Sequence, residues 1–343
     1  RVYELRVYEL RVYELRVYEQ RDVGGQEMTG PYRVVLTDQV FPDVETEREL
    51  LGAIGATLEV AVGEPAEVAE RARGADALLN TYLPLRRDFI ERLQQCRIIA
   101  RYGIGVDNVD LAAARDAGIV VTNVPDYCVE EVATHTLALL LALLRRLPEA
   151  DRLVRSGGWA MAPLRPIPRL SELTVGLVGF GRIGRALAGT LRQLGFRLLV
   201  HDPYVDPATF TEAELVGFDE LLASSDAISL HLPLTEESRG IIGHKELAQM
   251  REQAVLVNTS RGPLIVLEDL VDSLRSGRLR AAALDVFPEE PADGPGLADV
   301  PGLFMTPHMA YYSEAALKDL QRKAVTQVVK VLSGADPDYP VRG

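Results

Sequence analysis

Cysteine is nearly missing from this chain: Cys96 and Cys128 are the only two among 343 residues, they stand far apart, and they form no CxxC pair. That argues against a disulfide framework or a thiolate zinc site, and a reducing cytoplasm is the expected setting. Positive charge is short as well. Lys and Arg number 37 against 50 Asp and Glu, a net charge of −13. Nucleic acid and anionic membranes recruit excess cationic side chains, so neither is an expected partner. Long apolar runs are also lacking: the richest, around Val132–Leu144, is interrupted by Thr134, His135 and Thr136 and is shorter than the ~20 residues a crossing needs. Histidine occurs five times, and no spacing suggests a metal site.

What is present describes a globular chain. The apolar fraction is 47%, enough for sizeable cores, and the length predicts two domains. The first twenty residues are RVYELRVYELRVYELRVYEQ. A five-residue period matches neither helix nor strand, so this segment reads as an appended tag or a disordered arm outside the fold, with Met28 as a natural start. From Tyr32 onward, short β-branched runs alternate with helical patterns. Strands are predicted at Arg33–Thr37, Thr57–Val62, Ala77–Thr81, Ile98–Tyr102 and Val120–Asn123, with a helix at Val44–Ile54 and a long one at Val129–Arg146. A Gly/Pro-rich loop, Ser156–Pro168, follows. A second series has strands at Thr174–Val178, Arg197–His201, Ala227–His231, Ala254–Asn258, Ala281–Asp285 and Leu303–Thr306, and helices at Ile183–Leu194 and Glu314–Leu332. Such alternation implies two α/β units in tandem, each a parallel sheet with crossover helices.

The strongest local signal is VGFGRIG. Gly179, Gly181 and Gly184 make G-x-G-x-x-G directly after a strand and at the mouth of a helix. The first glycine allows the tight turn, the second admits a pyrophosphate to the backbone, and the third lets helix pack on strand. Helix N–H groups, those of Arg182 and Ile183 among them, would face the phosphates. Asp202 lies 18 residues beyond Gly184, at the end of the next strand. A carboxylate there accepts from adenosine ribose hydroxyls and repels a 2′-phosphate, so NAD is expected rather than NADP.

Three polar residues then follow predicted strand ends: Arg261 in VNTSRG, Glu290 in DVFPEEP, and His308 in MTPH. Together they suit the reduction of a 2-keto acid. The arginine would hold the carboxylate and polarise the carbonyl, while the histidine donates a proton to the developing alkoxide. A nearby carboxylate would favour the charged, donating imidazole. Glu289 and Glu290 adjoin a proline like a solvated loop, and only register with Asp285 selects Glu290. His135, on the long helix, reads as a packing or interface residue.

VNTSRG, ALDVFPEEP, TPHMAYYSE, VGFGRIG and RYGIGVDNVD resemble the D-isomer-specific 2-hydroxyacid dehydrogenase family, from about Tyr32 to Leu332. CVEEVATHT and HMAYYSEAA are similar to its C-terminal-binding-protein-like branch. The resemblance implies two Rossmann-like/flavodoxin-like parallel-sheet domains with an active-site cleft between them. The substrate domain would be 29–126 plus 309–343, the last helix returning to it, and the NAD-binding Rossmann domain would be 127–308. It carries the catalytic roles onto Arg261, Glu290 and His308, and the substrate-carboxylate loop onto Arg101, Tyr102 and Gly103, with Ile104 close to the nicotinamide. His231, Leu232 and Pro233, then Thr259, Ser260 and Arg261, fall on cofactor-lining loops. Asp285 falls near the nicotinamide amide, and Tyr82 ends a strand of the first unit. Relatives dimerise through the cofactor domain, and a homodimer is expected; the apolar helix Val129–Arg146 exceeds what one domain surface should bury. The chain stops soon after its last helix, so no appended regulatory module is expected.

Two positions depart from the pattern. The family's Gly-Gly-x-Val-Asp-Glu after the arginine is here Gly262-Pro-Leu-Ile-Val-Leu-Glu268, and the branch's tryptophan is Tyr311, whose hydroxyl could meet a polar substrate tail. The expected activity is NAD-dependent interconversion of a small D-2-hydroxy acid and its keto acid. The alternative is an NAD(H)-sensing, corepressor-like scaffold with residual activity.

Overall fold

The computed structural model describes residues 31–341, apart from 209, 212 and 293; the RVYEL repeat and Met28 lie outside the described residues. The chain divides into two compact units. One ends at Tyr127 and resumes at Ser313, and the other is Cys128–Tyr312.

The first unit holds five parallel strands: β1 (Tyr32–Leu36), β2 (Ala56–Val60), β3 (Ala77–Asn80), β4 (Ile98–Arg101) and β5 (Val120–Thr122), in the order β2-β1-β3-β4-β5. Successive side chains of a strand alternate between faces. Val35, Leu78, Ile99 and Val121 accordingly pack on one side, and Val34, Leu36, Leu79 and Ala100 on the other. Both faces are covered, so the strands read as unbroken apolar runs rather than alternating ones. The helix Glu314–Leu332 closes the second face with Leu320, Ala324, Val325 and Val328. Ser313 starts it by accepting the Ala316 N–H on its Oγ at 2.9 Å, a side-chain N-cap.

The second unit has seven strands: β6 (Thr174–Val178), β7 (Arg197–His201), β8 (Glu214–Leu215), β9 (Ala227–Leu230), β10 (Val255–Asn258), β11 (Ala281–Leu284) and β12 (Leu303–Met305). Their order is β12-β11-β10-β9-β6-β7-β8, parallel throughout. The chain runs outward from β6 in one direction, then returns to β9 on the other side. The crevice at such a reversal is where open α/β sheets bind ligands.

The predicted helix Val129–Arg146 is found as Val129–Leu144, and a second helix that the periodicity did not mark, Leu147–Arg155, follows across a left-handed Arg146 at φ 55°. The first buries Ala133, Leu139, Leu140 and Leu143 in the core of its own unit, packed on the helix Arg182–Gln193, β10 and β11. The second buries nothing.

A buried polar cluster lies inside the first unit. Glu47, with no exposed surface, accepts the Tyr102 hydroxyl at 2.8 Å and the Gln321 amide at 3.1 and 3.2 Å. Burial raises the Glu47 carboxyl above its ordinary 4.5 despite these donors. A raised carboxyl stabilises the fold fully below the unfolded value, and that contribution is lost as pH rises through the folded one. Glu47→Gln removes the proton equilibrium and keeps an acceptor. Its Tm relative to the parent should therefore climb as pH increases from 4.5 toward 8, as read by thermal unfolding. A Tm difference that stays constant over that range would contradict a raised Glu47 carboxyl in the folded chain.

Candidate active site

The glycine turn leaves β6 and opens the helix Arg182–Gln193. Gly179 sits at φ 91°, and a Cβ there would come within 2.5 Å of the His231 carbonyl oxygen on neighbouring β9. Both the left-handed backbone and the close approach demand glycine. A Cβ on Gly184 would lie 2.8 Å from the Gly179 carbonyl oxygen, whereas Gly181 faces open space. Arg182 is exposed and Ile183 half-buried at the start of the helix. Asp202, just past β7, accepts the Phe180 N–H on Oδ2 at 2.7 Å and the Tyr204 N–H on Oδ1 at 2.9 Å. The acid is thereby tied to the glycine turn, and each oxygen keeps lone pairs for a further donor.

His231 follows β9, and Leu232 and Pro233 continue that loop. Its Nε2 lies 2.9 Å from Ser229 Oγ, and its Nδ1 is enclosed with no hydrogen-bond partner. Burial pushes the imidazole down to about 4, so it is neutral near pH 7. An open Gly181, a carboxylate beside the turn and a buried imidazole nitrogen left over are what a dinucleotide's phosphates and hydroxyls require. These residues fit NAD.

The ends of β10, β11 and β12 carry the reactive candidates. After β10, Ser260 Oγ donates to the Leu230 carbonyl at 2.7 Å and Thr259 Oγ1 lies 2.7 Å from Thr136 Oγ1. Asn258 Nδ2 donates to the Arg261 carbonyl at 2.8 Å. Gly262 then passes so near the next loop that a Cβ would fall 1.9 Å from the Phe287 carbonyl carbon. This contact is specific to glycine and sets how the half-buried Arg261 leaves its strand.

After β11, Glu290 Oε1 accepts the Phe287 N–H at 3.0 Å, and Oε2 accepts from His308 Nδ1 at 2.7 Å. Glu289 is exposed. After β12, His308 takes φ 51°, and the Tyr311 ring meets its imidazole edge-on with centroids 6.0 Å apart. Because Glu290 accepts the Nδ1 proton, Nε2 is the nitrogen that can face a ligand. Asp285 has no exposed surface; its carboxylate accepts Thr306 Oγ1 at 2.5 Å and the N–H groups of Met309 and Ala310 at 3.0 and 2.9 Å. The side chain expected near the nicotinamide amide is thus engaged by the turn that carries His308.

The remaining candidates belong to the other unit. Asp38, after β1, accepts the N–H groups of Thr81, Tyr82 and Leu83, which fixes the loop bearing Tyr82. Arg101 ends β4, and its guanidinium covers Gly103, where a Cβ would lie 1.5 Å from Nη1. The Tyr102 side chain is 1% exposed and turned to the Glu47 cluster. Its backbone N–H donates to the Asn80 carbonyl at 2.7 Å. The Ile104 carbonyl accepts from Asn123 Nδ2 at 2.7 Å. Sequence reading passed over Asp38, Asn258 and Thr306. Each is a polar residue within two positions of the end of an apolar run, the signal that could have found it.

Among the described residues there is no cluster suited to a metal ion and no helix long and apolar enough to cross a membrane. Residues 137–310 match the model of the D-isomer specific 2-hydroxyacid dehydrogenase NAD binding domain. The chain is 36% identical over 277 residues to glyoxylate reductase of Thermococcus litoralis, covering 78% of this chain and 84% of that one. It is 36% identical over 307 residues to D-3-phosphoglycerate dehydrogenase of Methanocaldococcus jannaschii, covering 88% of this chain but 58% of that longer protein. The crystal structure of the TT0316 protein from Thermus thermophilus superposes with a TM-score of 0.81 at 36% identity, over 90% of this chain and all of that one. The chain therefore belongs to the D-isomer specific 2-hydroxyacid dehydrogenase family, NAD-dependent oxidoreductases that act on the CH–OH group.

Proposed function

We propose that the protein interconverts a small 2-keto acid and its D-2-hydroxy acid with NAD(H), reduction being the favoured direction. The observation that carries this reading is the 2.7 Å contact between His308 Nδ1 and Glu290 Oε2, at the same sheet edge as the glycine turn and Asp202. When bound, NADH supplies the hydride. His308 delivers a proton from Nε2 to the carbonyl oxygen as negative charge develops there, while Glu290 holds the ring and its tautomer. Arg261 pairs with the substrate carboxylate and polarises the carbonyl, a task suited to a forked guanidinium. Asp202 accepts from the adenosine ribose, and the loops of His231–Pro233 and Thr259–Arg261 line the cofactor. The family resemblance also puts forward Arg101, Tyr102, Gly103, Ile104 and Tyr82 as substrate-binding candidates. Tyr311, against the His308 ring, is suited to select the substrate's side chain.

The homodimer has a different support from the one its long helix suggested. Leu147 and Val154 of the helix Leu147–Arg155 are 56% and 51% exposed, and Trp159 and Met161 just beyond are 88% and 66% exposed. Four large exposed apolar side chains within residues 147–161 suit an association surface, and we assign it to a second copy of this chain. No nucleic-acid partner is proposed, and a reducing cytoplasm suits the buried cysteines Cys96 and Cys128.

NADH oxidation over 2-keto acids of graded size tests the activity. A silent panel with tight NADH binding would turn the reading to a sensing scaffold. His308→Gln should lower kcat by roughly 10²–10⁴, the range for a lost general acid, and Arg261→Ala should damage both kcat and KM; parental rates in His308→Gln would sink the mechanism. Asp202→Asn, which keeps the shape but loses the charge, should narrow the preference for NADH over NADPH, measured as the ratio of kcat/KM. Val154→Asp with Trp159→Ser should shift the mass seen by light scattering from dimer to monomer, and an unchanged mass would place the interface elsewhere.

A further inference from the structure

His135 is a half-buried histidine that the reaction described above does not use. Its Nε2 lies 3.2 Å from Thr306 Oγ1 and 3.7 Å from Asp285 Oδ1. The Thr306 hydroxyl gives its one proton to Asp285 Oδ1 at 2.5 Å, a short charge-assisted bond. That hydroxyl can then only accept from the imidazole, so His135 Nε2 carries the hydrogen. The bonds run in one direction: imidazole N–H to hydroxyl, hydroxyl to carboxylate. Donors aligned in series polarise one another, and the last bond strengthens.

The carboxylate at the end of this chain organises the turn that bears His308. Its two oxygens accept the Met309 and Ala310 N–H groups, and the Asp285 carbonyl accepts the His308 N–H at 2.8 Å. His308 itself occupies the left-handed region at φ 51°, which is strained for a non-glycine residue and persists only where surrounding contacts over-determine it. The next residue on the same helix acts in parallel: Thr136 Oγ1 meets Thr259 Oγ1 at 2.7 Å, two residues before Arg261. One turn of the helix Val129–Leu144 therefore touches the supports of both loops, the arginine's and the histidine's.

We propose that His135 is a positioning residue for the reaction. Through the Thr306 hydroxyl and the Asp285 carboxylate it holds the 306–310 turn in the strained backbone that points His308 at the substrate. The proposal rests on the reading of His308 as the proton donor. His135→Ala should lower kcat roughly five- to tenfold, the rate equivalent of one lost hydrogen bond, with the KM for NADH nearly unchanged. Hydrogen–deuterium exchange should quicken at the amides of 308–310 and not at the glycine turn. His135→Gln, whose Nε2 can replace the imidazole donor, should recover most of both effects. In a Thr306→Val background, His135→Ala should add nothing further. Additive losses in that background, a glutamine variant no better than alanine, or unaltered exchange at 308–310 would each overturn the proposal. The exchange measurement needs no turnover. A parent protein inactive on every keto acid would thus remove the functional reading while His135's hold on the turn was still being judged.

Discussion

All seven strands of the Cys128–Tyr312 unit run parallel, so every C-terminal strand end emerges at one edge of one sheet. The glycine turn after β6, Asp202 after β7, His231 after β9, Arg261 after β10, Glu290 after β11 and His308 after β12 become neighbours for that reason alone, although they span well over a hundred positions. Backbone pairing and two apolar faces hold the edge in place. The polar groups at the strand ends then need only short-range bonds to be aimed. Covering both faces also explains why Val255, Leu256 and Val257 are all fully buried.

The carboxylates at this edge each bind the fold. Asp202 ties the Phe180 amide and Tyr204 amide together beside the glycine turn. Glu290 fastens its own loop through the Phe287 amide while its other oxygen meets His308. Asp285 is wholly enclosed, and its oxygens are met by one hydroxyl and two amides. Buried polar groups are tolerable only when hydrogen-bonded, and the same bonds hold the strand-end turns in place, the left-handed His308 among them.

Much of the framework was legible beforehand. The β-branched runs marked every described strand but the two-residue β8 to within one or two residues, and Glu314–Leu332 was read with its bounds intact from its helical spacing. The glycine pattern was legible because its spacing reflects contacts within a single turn. Other features were not. The helix Leu147–Arg155 buries no side chain, so it has no core-facing stripe by which its period could mark it. The Tyr102 ring goes into the core, where Glu47, 55 positions before it and anchored by Gln321, 219 after it, accepts its hydroxyl. His135 read as a packing residue since nothing near it in sequence suggests Thr306, 171 positions away.

The sequence by itself determined the class of fold, the order of strands and helices, the glycine turn with its acid, and which residue types end which strands. These follow from local periodicity and from spacings within one turn or one β-α-β unit. The tertiary structure decided which polar side chains meet: Glu290 rather than Glu289 on His308, Asp285 on the turn behind it, Thr136 on Thr259, Gly262 against the Phe287 backbone. Those pairings depend on the lateral order of parallel strands, which places β10, β11 and β12 side by side through crossovers, and no pattern within any one strand encodes its neighbour.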